Sequence, residues 1–263
     1  MKKGQIVDYP SRNESFENWF QTPLGRTLLA DQRALLDRRL ASLTGARQLQ
    51  VSVSHRLPLT SGTDFSQKIM TTPRCFAGIP DGVVVCDADE LPFPGDSMDL
   101  VVLHHTADFS DYPHQVLREG ARVLRGGGTI ALIGFNPISF WGLRRLISRH
   151  HAGPWGGRFL LRRRMEDWLS LLDFQVEVSV TRLFRLPFQR NGGKASGKFS
   201  ERLASYGFLP VGAYYCILAK KRVCARIPQR SQWRQKKVMG LSGTSTAGAS
   251  RGCPSQNRNH PED

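Results

Sequence analysis

An α/β architecture, with a mostly parallel sheet and an antiparallel edge, is the fold class this 263-residue sequence predicts. Three observations carry that prediction. Continuous apolar, largely β-branched runs suited to strands covered on both faces recur at 83–86, 99–103 and 129–134. Amphipathic helical segments alternate with such runs. The last two strand-like segments, 174–180 and 212–219, have no full helical pattern between them, which suits an antiparallel edge.

Taken in order, Phe16 to Leu43 places apolar residues at 24, 28, 29, 35, 36, 40 and 43, a helical period broken near Pro23-Leu24-Gly25. Gly45 follows where a C-terminal cap belongs. Residues 48–54 alternate, with Leu49, Val51 and Val53 on one side, and read as a strand. The stretch 55–73, rich in Pro, Ser, Thr and Gly, reads as a loop. Residues 74–78 read as a short strand and 83–86 as a better one. Only Ile79 to Gly82 separates them, and a parallel crossover takes about a dozen residues or more. The two must pair antiparallel, or the first is not a sheet strand; either way the helix expected there is missing.

Pro113 to Leu124 is helical, with Leu117, Ala121 and Leu124 on one face, Pro113 in the first turn and Gly126-Gly127-Gly128 as the stop. Asn136 as N-cap with Pro137 at the next position opens a helix through Arg149. A further helix covers Phe159 to Leu172, with 161, 165, 168 and 172 in register.

The chain carries 37 Lys and Arg against 22 Asp and Glu, a net +15. Residues 220–263 hold ten basic residues and two acids, and 143–198 hold twelve and four, so each contributes +8 and the remainder nearly balances. The tail, 223–263, has no helical or strand period and reads as disordered. Such a tail attracts polyanions, nucleic acid included, by counterion release, and equally serves as a solubilising extension. No apolar run reaches the ~18 to 20 residues of a membrane span, and Met1 to Glu14 lacks the apolar core of a secretory signal. The expectation is a cytoplasmic protein with no membrane partner. Five cysteines, an odd number without a CxxC pair, argue against both a zinc ribbon and a disulfide framework. Cys86 and Cys216, set in apolar runs, behave as small hydrophobes. Neither a P-loop, a G-x-S-x-G elbow nor a metal-ligand spacing is present.

Ligands of open α/β sheets bind outside the carboxyl ends of the strands. Just after the three buried runs come Asp87-Ala88-Asp89-Glu90-Leu91-Pro92-Phe93, then His104-His105-Thr106, then Phe135-Asn136-Pro137. A carboxylate, two imidazoles and an amide therefore converge on one crevice. Of these, Asn136 suits an N-cap that could also hydrogen-bond a substrate, and a histidine at 104 or 105 could orient a substrate or take a proton.

The order Asp87-Ala88-x-x-Leu91-Pro92-Phe93, Asp99-Leu100-Val101 and Arg122-Val123-Leu124-x-x-Gly127-Gly128 resembles the central half of the type 11 family of S-adenosylmethionine-dependent methyltransferases, and Gly134 to Arg145 resembles an uncharacterised bacterial subgroup of it. The resemblance spans about residues 16–222. It implies a Rossmann-like class I methyltransferase fold, S-adenosylmethionine as cofactor and an acceptor the sequence does not identify. By the same resemblance Asp87 accepts the adenine amino group, Ala88 supplies backbone contact, His104 flanks the methionine end and is the candidate catalytic residue, His105 and Asn136 lie on the substrate side, and no metal takes part. An acceptor-only carboxylate beside an exocyclic amine does select adenine over oxo-purines. The domain organisation it implies is a flexible 1–15, a methyltransferase domain over 16–222 with 143–210 as acceptor-side lid, and the tail.

The chain departs from the family after its first strand. Members carry Glu/Asp-x-Gly-x-Gly-x-Gly there; this chain reads Val51-Ser52-Val53-Ser54-His55-Arg56, with no glycine, and Ser52 and Ser54 stand in the cofactor-binding positions. The acid for the ribose hydroxyls is unassigned, with Asp64 and Asp81 as weak candidates. Two readings follow: a methyltransferase, or a catalytically impaired descendant acting as a binding or regulatory protein.

Overall fold

The computed structural model describes residues 9–148, 152–183 and 212–223. Among the described residues seven strands form one sheet in the order β3-β2-β1-β4-β5-β7-β6. These are β1 (Thr44–Ser52), β2 (Asp64–Thr72), β3 (Val83–Val85), β4 (Met98–His104), β5 (Leu124–Phe135), β6 (Phe174–Arg182) and β7 (Tyr214–Lys221). The first five run parallel, and β7 is antiparallel to both β5 and β6. The α/β class and the antiparallel edge are as the sequence predicts.

Several boundaries differ, each for a physical reason. The helical segment begins at Tyr9 and forms two helices, α1 (Tyr9–Phe20) and α2 (Pro23–Leu40), with Thr22 accepting from Gly25 N as N-cap and Pro23 at N1. Gly45 caps neither; it lies in β1, where a Cβ would meet the Phe65 ring at 2.7 Å and Asp99 Cβ at 2.9 Å, so it is required for close approach. Residues 64–72 of the expected loop form β2, whose alternation is masked because its outer face is polar. Residues 74–78 are not a strand, and β2 pairs parallel with β3 across the irregular 73–82 connection. The helix expected after the second strand is indeed missing there.

Beyond β4, the short α3 (Thr106–Phe109) precedes α4 (Pro113–Val123), and β5 starts immediately at Leu124, so the triple glycine lies inside the strand beside an irregularity in its pairing with β4. The next helix, α5 (Phe140–Ile147), is capped by Ser139, which accepts from Gly142 N, and not by Asn136. Asn136 instead forms a local turn: its Oδ1 accepts from Ile138 N at 3.1 Å and its Nδ2 donates to Gly212 O at 3.0 Å, tying the end of β5 to the start of β7. The last helix among the described residues, α6 (Arg162–Leu171), is shorter than the apolar period suggested. Much of the expected 143–210 lid and the tail from 224 onward lie outside the described residues.

Both sheet faces are covered. On one, α1 and α2 bring Phe16, Phe20, Leu28, Leu36 and Leu40 against Leu100, Val102, Ile133 and Tyr214. On the other, α4 and α6 bring Val116, Leu117, Met165 and Leu169 against Val101, Leu103, Leu132 and Ile217. Among the described residues no helix is long and apolar enough to cross a membrane, and no group of three or more His, Cys, Asp or Glu could hold a metal.

Candidate active site

The parallel strands end together, and their carboxyl ends define the crevice. Asp87 stands exposed just beyond β3, with Ala88 buried behind it. It lines a groove of about 630 Å³ shared with Asp89, Glu90, Leu91, Gln115, Glu119 and Arg122. The loop bearing Asp87 is held by a clamp that the sequence reading missed. Arg122 donates to Leu91 O and Phe93 O, each at 2.9 Å, and pairs with Glu119, which accepts from Leu91 N at 3.0 Å. The hydrogen bond from Arg122 also holds the Glu119 carboxyl below its usual range. Leu91-Pro92-Phe93 and Arg122-Val123-Leu124 are thus two halves of one clamp, and their joint appearance was the signal available. Asp99, the second motif's acid, serves the opposite end of the sheet: its Oδ2 accepts from Ala46 N and Arg47 N at 2.7 and 2.8 Å, and its Oδ1 pairs with Arg125.

Nearer the centre, the register that sets Ser52 beside His104 brings the first loop and the β4 end together. Ser52, Ser54, His104 and His105 are all buried. A single polar chain runs through them. Ser52 Oγ lies 3.4 Å from His104 Nδ1, His104 Nε2 lies 3.1 Å from Gln32 Oε1, Gln32 Nε2 lies 2.9 Å from His105 Nε2, and His105 Nδ1 lies 2.9 Å from Asp108 Oδ2. Because Gln32 offers an acceptor to one imidazole and a donor to the other, the tautomers follow: His104 donates from Nε2, and His105 accepts at Nε2 and donates from Nδ1 to Asp108. Asp108 Oδ2 also accepts from Phe135 N at 2.9 Å.

Burial disfavours charge along this chain. Burial drives His104 well below the usual imidazole range, helped by His105 and the Arg33 charge, and drives His105 down to about 3. Burial likewise pushes the Asp108 carboxyl well above the carboxylate range, opposed by its Phe135 hydrogen bond and the Arg145 charge. His105 adopts φ 55°, the left-handed region, held there by Asp108 and by stacking on Phe135 at 4.1 Å. Phe16 packs edge-on to His105 at 5.5 Å and Phe20 lies 5.8 Å from His104, so α1 and α2 close the crevice over both rings. Gln32, whose amide orders them, is a second residue absent from the sequence reading; it sits among helical leucines with no local motif to mark it.

The other expected positions separate. Asp64 and Asp81 both lie at the amino ends of their strands, β2 and β3, away from the crevice; β2 ends in Thr72, followed by Pro73 and Arg74. Asn136 is at the carboxyl end of β5 but engaged in its turn. Burial pushes the Cys86 thiol up to about 11 and Cys216 up to about 12, which leaves both as inert hydrophobes.

Comparison with known proteins gives this geometry a context. Residues 44–132 match the type 11 model described as a methyltransferase domain. An uncharacterised Escherichia coli protein, YafS, is 38% identical over 140 residues, which cover 53% of this chain and 55% of that protein. A chloroplastic 2-methyl-6-phytyl-1,4-hydroquinone methyltransferase of Oryza sativa is 31% identical over 103 residues, covering 38% of this chain and 28% of the enzyme. The chain therefore spans about half the length of the first of these relatives and less of the second. Among solved structures, a possible histamine N-methyltransferase from Thermotoga maritima superposes with a TM-score of 0.57 at 20% identity, covering 81% of this chain and 98% of that one. Residues 44–132 are thus similar to the type 11 methyltransferase domain, and the fold is the one seen in S-adenosylmethionine-dependent methyltransferases of known structure.

Proposed function

We propose that this chain is an S-adenosylmethionine-dependent methyltransferase of the cytoplasm, with residues 16–222 as its working unit. The observation that carries the proposal is the placement of Asp87 at the carboxyl end of β3, on an open groove, by the Glu119–Arg122 clamp. The residues fit the adenosine end of the cofactor: Asp87 accepts from the adenine amino group and Ala88 offers backbone at its edge. At the methionine end the fit requires movement, since Phe16, Phe20 and Gln32 close over His104 and His105.

When bound, the cofactor supplies an electrophilic methyl group, and transfer depends mainly on aligning an acceptor with it. Ser52 and Ser54 shape the cofactor loop, Ser54 Oγ accepting from Arg56 N at 3.1 Å. His104 has both nitrogens bonded and resists protonation, so it acts as a positioning residue for Ser52 and not as a general base. His105 and Asn136 keep the substrate side of the crevice in shape. The acceptor is unassigned, because the segment shared with the hydroquinone methyltransferase reaches no further than this chain's similarity to it, 38% of the sequence. The basic tail is a candidate contact for nucleic acid.

Titration calorimetry with S-adenosylmethionine and S-adenosylhomocysteine tests the reading. Binding is expected, and Asp87→Ala should weaken it about tenfold, the worth of one charge-assisted hydrogen bond, without lowering Tm. Silence at millimolar ligand, with Asp87→Ala equally silent, would overturn it. The glycine-free loop, with Ser52 committed to His104, would then favour the second reading, a non-catalytic binding protein on the same fold.

A further inference from the structure

In nucleotide-binding α/β sheets the group that reads the ribose hydroxyls stands about twenty residues beyond the first strand's turn, at the end of the second strand. A carboxylate there accepts from free hydroxyls, whereas an arginine pairs with a phosphate carried on them. In this chain β1 ends at Ser52, and the position just beyond β2 reads Pro73-Arg74-Cys75-Phe76, with no acid. Register sets it next to Asp87. Thr72 of β2 pairs with Val85 of β3, so Arg74 and Asp87 each follow their strand by two residues, on neighbouring strands about 4.8 Å apart.

A second guanidinium stands beside the first. Arg56 follows β1, and the His55 ring stacks on Phe76 at 4.4 Å, which ties the loop after β1 to the loop after β2. Both arginines meet the same turn of α1: Arg74 Nη1 lies 3.6 Å from Glu14 Oε2, and Arg56 Nη1 lies 3.4 Å from Glu17 Oε1. Residues three apart on a helix have Cβ atoms about 5–6 Å apart, so the two cations flank one short stretch of surface. Phe16, in that turn, packs edge-on to His105 at 5.5 Å, which fixes the stretch at the carboxyl edge of the sheet. Arg33 of α2, bonded to Pro58 O at 2.6 Å in the loop that bears Arg56, adds a third cation, so three arginines face two glutamates. Neither ion pair reaches the about 2.7–2.9 Å of a charge-assisted hydrogen bond, and the Arg56 and Arg74 side chains are 67% and 41% exposed. Exposed pairs of that length hold little, and an anion with better geometry displaces the carboxylates.

We propose that the carboxyl ends of β1, β2 and β3 bind an adenine nucleotide carrying a phosphate on its ribose hydroxyls, in competition with S-adenosylmethionine. Asp87 takes the adenine amino group, and Arg74 and Arg56 take the phosphate. The inference rests on the adenine reading of Asp87 and stands apart from methyl transfer.

The test is calorimetry of the full chain with adenosine, with adenosine 2′-, 3′- and 5′-monophosphate, and with inorganic phosphate alone. The 2′- or the 3′-monophosphate is expected to bind about tenfold tighter than adenosine, with a gain that shrinks as salt rises. Arg74→Ala combined with Arg56→Ala should remove that gain and leave Tm unchanged, while Asp87→Ala weakens every nucleoside arm. Four results would overturn the proposal. Neither ribose phosphate brings a gain. The gain survives the double arginine variant. The 5′-monophosphate gains as much, which puts the anion away from the ribose hydroxyls. Inorganic phosphate binds as tightly as the nucleotide, which separates the anion from the adenine. S-adenosylhomocysteine is titrated alongside. If it binds while the ribose phosphates bring no gain, the methyltransferase reading stands and the nucleotide inference falls; if it is silent while the gain is present, the reverse holds.

Discussion

The two halves of the sheet solve the same parallel-crossover problem by different chemistry. On the β4–β5 side, α3 and α4 cross between the strands, and the apolar face of α4 fills the space with Val116, Leu117 and Ala121. On the β1–β2–β3 side no helix intervenes in either connection, 53–63 or 73–82. There, two glutamines of β1 stitch the first crossover to the sheet: Gln50 Nε2 donates to Leu57 O at 2.7 Å and its Oε1 accepts from Leu59 N at 2.9 Å, while Gln48 Nε2 donates to Thr60 Oγ1 at 2.9 Å and its Oε1 accepts from Thr63. Leu57 and Leu59 then complete the core beneath α2, and Arg33 of α2 donates to Pro58 O at 2.6 Å. A helix satisfies its own backbone; an irregular crossover must have its backbone satisfied by side chains. The N-terminal helices therefore do on this side what a crossover helix does on the other, and in doing so they close the crevice over His104 and His105.

That contrast can be broken by substitution. Leu103→Ala, in fully buried β4, removes packing on the helical side and should cost ~3–5 kcal/mol in urea unfolding. Gln50→Ala, on the other side, orphans a buried carbonyl and a buried N–H and should cost ~2–4 kcal/mol. If Gln50→Ala is neutral, the crossover is not held by the glutamines.

The polar chain beneath α2 predicts a pH dependence of known sign. His104 and His105 bind protons in the unfolded state near pH 6.5 but resist them when folded, so stability should fall as pH drops through 6.5 toward 3. Asp108 opposes this, since its folded carboxyl keeps its proton above 3.8, where the unfolded one has lost it. The net slope is therefore shallower than the two imidazoles alone would give, each being worth at most ~1.4 kcal/mol per pH unit. Asp108→Asn removes the opposing contribution and should steepen that slope; a flat profile in both proteins would mean the imidazoles stay charged. The smallest effect expected is from Arg122→Ala at the half-exposed clamp, ~1 kcal/mol in stability, accompanied by cofactor binding weakened through a loosened Asp87 loop.

Legibility followed the same division. The β4–α4–β5 side was readable because its runs and its helix obey the two simple periods, and because the three motifs that mark it are local. Asp87 was found from its place after Val83–Val85. What failed lay where the partner is distant in sequence. The 64–72 strand, half polar, was hidden inside a Pro- and Thr-rich stretch, and Gly45 was assigned to a cap because the Phe65 ring that demands it is twenty residues away. Asn136 carries the composition of a cap, yet its amide was needed by Gly212 O on another strand. Nothing local to Gln32 shows that its amide would meet two imidazoles 72 and 73 residues further on.

By itself, then, the sequence determined the α/β class, the parallel core with its antiparallel edge, the likeness of the 44–132 segment to a methyltransferase domain and the carboxylate after the third strand, because each is written in periodicity or in short contiguous motifs. The tertiary structure decided which acids face the crevice, that Asp99 serves the far end of the sheet, that both imidazoles are neutral and covered, and that Phe140, Leu143, Leu146 and Ile147 of α5 are exposed. Those depend on strand register, on burial and on which distant side chain arrives to satisfy a buried polar group, and none of these is a property of a segment read alone.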